Sequence, residues 1–231
     1  PKEIHDTMSE RFLCSNEKIA LAYQTAKVQE SILKDMDRSS FSLYISIPFC
    51  PTRCAYCSFV SQSIEKCMDI IPEYVDNLCE EIKYTAEIAQ KTGLKLDTVY
   101  FGGGTPTTLE AYQLDRVMKT IADSFDMSNV REYTVEAGRA DTITEEKLRV
   151  IKENGCTRIS INPQTLNDDV LKAIGRNHTT QQFFFCFELG RRIGFESINT
   201  DIIAGLPTDT IDSFKHTIDK LIELEPENIT V

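Results

Sequence analysis

Three cysteines fall within eight residues in the segment Pro48-Phe49-Cys50-Pro51-Thr52-Arg53-Cys54-Ala55-Tyr56-Cys57. The C-x3-C-x2-C spacing puts three thiolates on one short loop. Each can bind one iron of a cubane, which leaves the fourth iron without a protein ligand and open to a small molecule. A structural zinc needs four ligands, usually paired C-x2-C or C-x2-C with histidine. The nearest fourth candidate here is Cys67, and His5, His178 and His216 are all remote in sequence. Cys14, Cys67, Cys79, Cys156 and Cys186 are scattered, which suits reduced packing residues better than a disulfide framework.

Further along, Gly102-Gly103-Gly104-Thr105-Pro106 forms a glycine-rich turn. Glycines there let a ligand approach the backbone and expose its N–H and C=O groups. The helix expected after Thr107 gives a carboxylate a second reason to sit at this turn. Glu136, in Val135-Glu136-Ala137-Gly138, ends an otherwise apolar strand, where a carboxylate is costly unless exposed or paired. Gln164 ends another strand, Arg176 and His178 share a loop, and Asp201 lies in the segment Asn199-Thr200-Asp201-Ile202-Ile203. Taken singly, each suits a structural role as well as a functional one. His178 beside Arg176 at a helix entrance reads as a hydrogen-bonded cap, and Phe183 to Phe187 reads as core packing.

The elements that must position these residues alternate regularly. Strands are expected at Leu43–Ile47, Thr98–Phe101, Glu132–Glu136, Arg158–Ile161, Ile198–Ile203 and Ile229–Val231. Between them, Pro72–Thr92 carries Val75, Leu78, Cys79, Ile82, Ala86 and Ala89 at helical spacing and is closed by Gly93. Thr107 with Glu110 has capping-box spacing ahead of Leu114, Val117, Met118, Ile121 and Phe125. Thr144, Asn167 and Thr179 open further helices that Gly155, Gly175 and Gly194 close. A last helix after Pro207 is expected to bury Ile211, Phe214, Ile218, Leu221 and Ile222. This alternation implies a parallel sheet with right-handed crossovers. A doubly wound sheet and a partial barrel fit the pattern equally, and in both chemistry gathers at the carboxyl ends of the strands. Residues 16–36 form a separate helix, with Asn16 as N-cap and Ile19, Tyr23, Ala26 and Leu33 on one stripe.

A chain of 231 residues with 41% hydrophobic content can build one large α/β core. Its net charge of −11 provides no basic field for phosphates, so no nucleic-acid partner is expected. No run of 18 apolar residues spans a membrane, and the polar stretch Pro1 to Glu10 is not a signal peptide, so a cytoplasmic location is expected. The expected division is a helical segment at 1–42, left from a longer N-terminal region, and a core at 43–231 that lacks its C-terminal region.

Together the motifs resemble the radical S-adenosylmethionine (SAM) superfamily, in which an aromatic such as Tyr56 precedes the last cysteine of the loop. The resemblance implies a partial (β/α)6 barrel with an N-terminal helical extension, a [4Fe–4S] cluster on Cys50, Cys54 and Cys57, and SAM on the open iron. The phrases Tyr44-Ile45-Ser46-Ile47-Pro48-Phe49-Cys50, Gly-Gly-Gly-Thr-Pro, Val-Glu-Ala, Arg-Ile-Ser, Gly-Arg-x-His-Thr and Asp-x-x-x-Gly-Leu-Pro follow the order of the oxygen-independent coproporphyrinogen III oxidase (dehydrogenase) family and its haem-chaperone relatives. Val-Glu-Ala-Gly-Arg and Ser-Ile-Asn-Pro-Gln-Thr are most similar to a second, Firmicutes-type coproporphyrinogen dehydrogenase branch. The resemblance implies cofactor contacts from Tyr44, Tyr56 and Phe59. It further implies that Glu136, Gln164, Arg176 and Asp201 hold the methionine carboxylate and ribose of SAM, and that Gly103, Gly104 and Thr105 hold its amino group. The implied reaction uses a 5′-deoxyadenosyl radical, made with an electron from a flavodoxin- or ferredoxin-type donor, to decarboxylate porphyrinogen propionates to vinyls. Two positions depart from the family pattern. Phe59 stands where the best-studied oxidases carry a fourth cysteine, which members including haem chaperones lack, and Asn162-Pro163 replaces a Gly-plus-aliphatic pair. A haem-trafficking protein and a different radical SAM reaction are the alternatives.

Overall fold

A computed structural model describes residues 2–34, 37, 39–59 and 61–231. The chain divides into two compact units between Ser40 and Phe41. The first unit opens with short turns at Lys2–Asp6 and Thr7–Arg11 and continues into α1 (Asn16–Leu33). Ser15, not Asn16, is the N-cap; its hydroxyl accepts from the Lys18 N–H at 3.4 Å. Extended backbone one residue earlier leaves Asn16 already in the helix. The expected apolar stripe is also corrected. Only Ile19 is buried, while Tyr23 and Leu33 are exposed together with Leu21, Val28 and Ile32, because apolar residues are spread around this helix. Residues 35 and 36 of the expected helix lie outside the described residues.

The second unit is built on six strands: β1 (Ser40–Ile47), β2 (Lys95–Gly103), β3 (Glu132–Glu136), β4 (Arg158–Ser160), β5 (Ser197–Asp201) and β6 (Asn228–Thr230). Their order in the sheet is the order of the chain, and the pairings from β2 to β6 are parallel. A doubly wound sheet reverses its strand order at a switch point. This one does not reverse, so the partial barrel is the architecture.

Among the described residues, a four-residue helix at Ile64–Cys67 precedes the longer helices α2 (Ile71–Thr92), α3 (Ala111–Ser124), α4 (Glu145–Glu153), α5 (Asp168–Ala173), α6 (Thr180–Ile193) and α7 (Ile211–Glu223). Their ends show why the sequence stops them there. Gly93 and Gly194 take left-handed conformations at the C-caps of α2 and α6, where a side chain would be strained. The capping box of α3 joins Glu110 to Gln113, three residues later than the expected Thr107–Glu110 pair. Pro106–Thr108 instead makes a 3-10 turn that Thr107 cannot cap from within. In α7 only Thr217 and Leu221 are buried; Ile211 and Ile222 face outward, contrary to expectation.

Strand periodicity sorts the two faces of the sheet. Val99, Phe101, Tyr133, Val135, Ile159 and Ile198 point to the helix layer and join one core with Val75, Leu78, Ile82, Leu114, Val117, Leu148, Phe183 and Phe187. Tyr100, Thr134, Glu136, Ser160, Asn199 and Asp201 alternate with them on the opposite, concave face, which is polar. Cys67 and Cys79 pack in the core as small hydrophobes. Of the phenylalanine run, Phe183 and Phe187 are buried but Phe185 is 61% exposed. Phe101→Ala, which empties a fully buried site stacked 6.0 Å from Tyr133, should cost about 3–5 kcal/mol in equilibrium unfolding. Phe185→Ala should cost at most about 0.5 kcal/mol.

Candidate active site

The cysteine loop leaves β1 and has little secondary structure of its own. Phe49–Cys50 makes a two-residue parallel bridge with Gln62–Ser63, and a tight turn brings the Cys57 N–H 3.1 Å from the Cys54 carbonyl. The rest of its backbone is held by neighbours. The Ile47 and Phe49 carbonyls accept from Gly104 and Thr105, each at 2.8 Å. On the other side, the Ala55 N–H donates to the Ile174 carbonyl at 2.9 Å and the Thr52 hydroxyl to the Gly175 carbonyl at 2.6 Å. Gly104 is required by this contact. A Cβ on it would stand 2.7 Å from the Phe49 oxygen and 3.0 Å from Cys50 Sγ.

Cys54 is buried, and Cys50 and Cys57 are half-buried; all three are free thiols. They line a cavity of about 190 Å³ at the carboxyl ends of the strands. Tyr56, Phe59, Gly103, Gly104 and Thr105 line the same cavity, as do Glu136, Gln164, Arg176 and Asp201. The structure thus brings together residues that are dispersed over more than 150 positions of sequence. Tyr44 is placed differently. It is 54% exposed on the concave face of β1, outside the cavity wall, and its ring stacks on Tyr100 at 5.8 Å.

Polar contacts fix these side chains. Tyr100 donates to Glu136 at 2.5 Å, so the carboxylate ending β3 has a partner. Burial, with a smaller push from Asp201, raises the Glu136 pKa, against the lowering effect of that hydrogen bond. Asp201 accepts from Asn162 Nδ2 at 2.8 Å and Asn199 Nδ2 at 2.7 Å. The Arg176 guanidinium donates to the Gly138 and Asn162 carbonyls at 2.7 and 3.2 Å and to the Tyr56 hydroxyl at 2.9 Å. Burial pushes the Tyr56 phenol up to about 12, the nearby Arg176 opposing, so it stays neutral. Gln164 sits in the left-handed region, φ 65°, at an isolated bridge to Ile202. Its side-chain oxygen is buried without a partner, as a residue reserved for a ligand would be.

Sequence reasoning passed over Tyr100, Arg139, Asp141 and Asn162 as site residues. Tyr100 was legible from alternation, since it lies two residues before Gly102 and must share its face. Arg139 follows the Val-Glu-Ala-Gly phrase directly, but nothing in the sequence shows that it turns back to the cysteine loop. His178 is corrected too. It is 3% exposed, and the cap of α6 is Thr179, whose hydroxyl accepts from Gln182 N at 3.2 Å.

The donor set can be tested against a metal. Among the described residues no three Cys, His, Asp or Glu side chains converge as a single ion requires. A cubane takes one thiolate per iron, on separate corners, so three thiols lining one cavity are a donor set that fits a cluster.

An open parallel barrel in chain order, with a three-cysteine loop after its first strand and a glycine turn after its second, defines a class. The chain belongs to the radical SAM superfamily, whose family model matches residues 44–221. The cofactors of that family are a [4Fe–4S] cluster and SAM. The oxygen-independent coproporphyrinogen-III oxidase-like protein HemZ of Bacillus subtilis is 40% identical over the whole chain, which covers 46% of HemZ. The heme chaperone HemW of B. subtilis is 39% identical over 82% of the chain and 49% of that protein. The solved coproporphyrinogen III oxidase HemN of Escherichia coli superposes with a TM-score of 0.73 at 30% identity, over 82% of this chain and 43% of HemN. The chain therefore spans about half the length of the curated relatives it matches. Among the described residues no helix is long and apolar enough to cross a membrane.

Burial first, then the Arg176 charge, lowers the His178 pKa from 6.5 to about 4. The folded chain then binds fewer protons than the unfolded chain between these values, so stability is full above pH 6.5 and falls as pH drops towards 4. Unfolding free energies measured from pH 7 to 4 should fall less steeply in His178→Leu, by on the order of 3 kcal/mol across the window.

Proposed function

We propose that Cys50, Cys54 and Cys57 each bind one iron of a [4Fe–4S] cluster, and that the cavity beside them seats SAM for radical chemistry on a porphyrinogen. The observation that carries this reading is the shared cavity, in which three thiols, a glycine turn and the polar ends of β3 to β5 face one another. When bound, the cluster and SAM supply one-electron cleavage to a carbon-centred radical, and the protein's part is to hold, orient and shield.

The residues divide that work. Gly103, Gly104 and Thr105 present backbone to the amino end of the ligand, with no side chain at the first two positions to block approach. Arg176, held by two carbonyls and Tyr56, offers fixed positive charge to a carboxylate. Glu136, Gln164 and Asp201, with Arg176, supply polar groups for the ribose and the methionine carboxylate, and Tyr44 lies one ring further out. Tyr56 and Phe59 wall the cluster side of the cavity. The electron comes from a flavodoxin- or ferredoxin-type donor.

For the substrate, we favour coproporphyrinogen III, with oxidative decarboxylation of its propionates to vinyls, on the kinship with HemZ and HemN. A haem-chaperone role is the second reading. It is favoured by the 37–39% identity to proteins named heme chaperone HemW, and by Phe59 at the position of the oxidases' fourth cysteine. Buried His178 is not available to such a haem as a ligand.

Anaerobic reconstitution of a full-length protein should give broad absorption near 400 nm and about four irons per chain, and Cys54→Ser should lose both. Under reducing conditions, 5′-deoxyadenosine should form, with more when coproporphyrinogen III is added. No deoxyadenosine at all would sink the enzyme reading. A Soret band on haem titration, with deoxyadenosine indifferent to porphyrinogen, would move the assignment to the chaperone.

A further inference from the structure

One buried cation in the site has no part in the work described above. Arg139 is 3% exposed, in a chain whose net charge is −11. Its guanidinium donates through Nη1 to the Thr52 hydroxyl at 2.9 Å and to the Thr52 carbonyl at 3.2 Å, both on the cysteine loop. The same nitrogen lies 3.7 Å from Cys54 Sγ, within hydrogen-bonding range of sulfur. The opposite edge of the guanidinium is held by Asp141, through Nε at 3.1 Å and Nη2 at 2.8 Å. Asp141 is itself largely buried. A bidentate carboxylate fixes both the position and the plane of the guanidinium, so one N–H edge is aimed permanently at the loop.

This arrangement exceeds what holding a loop requires. Thr52 is already tied to Gly175 and Ala55 to Ile174, so the loop is anchored on that side without Arg139. What Arg139 adds is a desolvated positive charge and an N–H donor directed at one thiolate. Hydrogen bonds to the sulfurs and local charge are two of the means by which a protein sets the potential of an iron–sulfur cluster. A cation stabilises the more negative, reduced form more than the oxidised form, and does so strongly where water is excluded.

We propose that Arg139, set by Asp141, raises the reduction potential of the cluster through Cys54, and that the pair determines how readily the site accepts its electron. This rests on the cluster assignment above. One electron enters the cluster from a low-potential one-electron donor; no bond forms or breaks in the protein, and no proton moves, because the guanidinium stays charged throughout. Asp141 opposes the charge while fixing the geometry, so the two residues act on the potential with opposite sign. Arg139 is a positioning and tuning residue, acting on the cluster through its ligand.

The test is a redox titration of the anaerobically reconstituted protein with titanium(III) citrate, following the paramagnetic signal of the reduced cluster and measuring iron per chain. In Arg139→Gln the midpoint should move to more negative potential, so that at the wild-type midpoint the reduced-to-oxidised ratio falls several-fold. In Asp141→Asn it should move to more positive potential, since Arg139 remains tied to Thr52 by two hydrogen bonds. Arg139→Lys, which keeps the charge without the fork, should lie between wild type and the glutamine variant. Unchanged midpoints, or shifts of the same sign in Arg139→Gln and Asp141→Asn, would overturn the proposal. So would loss of iron from Arg139→Gln alongside a wild-type midpoint in Asp141→Asn, which would leave Arg139 only a structural strut. A wild-type protein that takes up no iron would instead remove the cluster assignment on which the proposal stands.

Discussion

The contact between the turn at Gly103-Gly104 and the start of the cysteine loop governs the rest of the site. Thiolates on a loop without regular structure would not keep fixed spacing unless the backbone beneath them were held. Here the Gly104 and Thr105 N–H groups reach the Ile47 and Phe49 carbonyls, so the end of β2 clasps the exit from β1. The clasp closes only because no Cβ stands at Gly104, where it would press on the Phe49 oxygen and on Cys50 Sγ. Gly103 adds a backbone conformation, φ 101°, that other residues rarely adopt. The same absence of side chains leaves the turn's backbone accessible from the cavity, so one sequence feature both positions the loop and prepares a binding surface.

The second constraint is the division of the sheet into an apolar and a polar face. A strand covered on both faces would be apolar throughout, as in the filled core of a closed barrel. In β3 and β5 every second residue is instead polar, β2 adds Thr98 and Tyr100 on that face, and these residues bond to one another across and along the strands. Thr98 donates to Ser42, Tyr100 to Glu136, and Asn199 to both Ser160 and Asp201. Such a network satisfies groups that would be costly if buried alone, and it restrains the carboxylates at the strand ends. The concave face is thus a preorganised polar wall.

The sequence made the architecture readable down to its strands because periodicities of two and 3.6 residues were clean in the second unit, with helix stops at Gly93, Gly155, Gly175 and Gly194. The first unit was misread for the opposite reason: α1 carries apolar residues on several sides, so no stripe exists to predict burial. Strand order was not legible from alternation, since a doubly wound sheet and a partial barrel share one pattern; only the motif resemblance pointed to the barrel. In the site, residues ending strands or turns within motifs were visible, whereas the part played by Arg139, although it sits in the Val-Glu-Ala-Gly-Arg phrase, and by Asp141 was not. Their role depends on a return contact to Thr52, 87 positions earlier, that leaves no local pattern. His178 does not cap α6, because Thr179, which the capping pattern also named, fills the N-cap position.

The charges around the cavity also bear on what it can hold. Arg139 is neutralised on one edge by Asp141, but the hydrogen bonds of Arg176 go to two carbonyls and a phenol, so its charge remains available. In the same cavity, Glu136 and Asp201 carry acceptors supported by a tyrosine and two asparagines. A purely anionic ligand would meet the acids, and a purely cationic one the guanidinium. A ligand bearing both a carboxylate and an ammonium or sulfonium has a counterpart for each sign of charge. The cavity thus carries both signs of charge, in a chain whose net charge is −11.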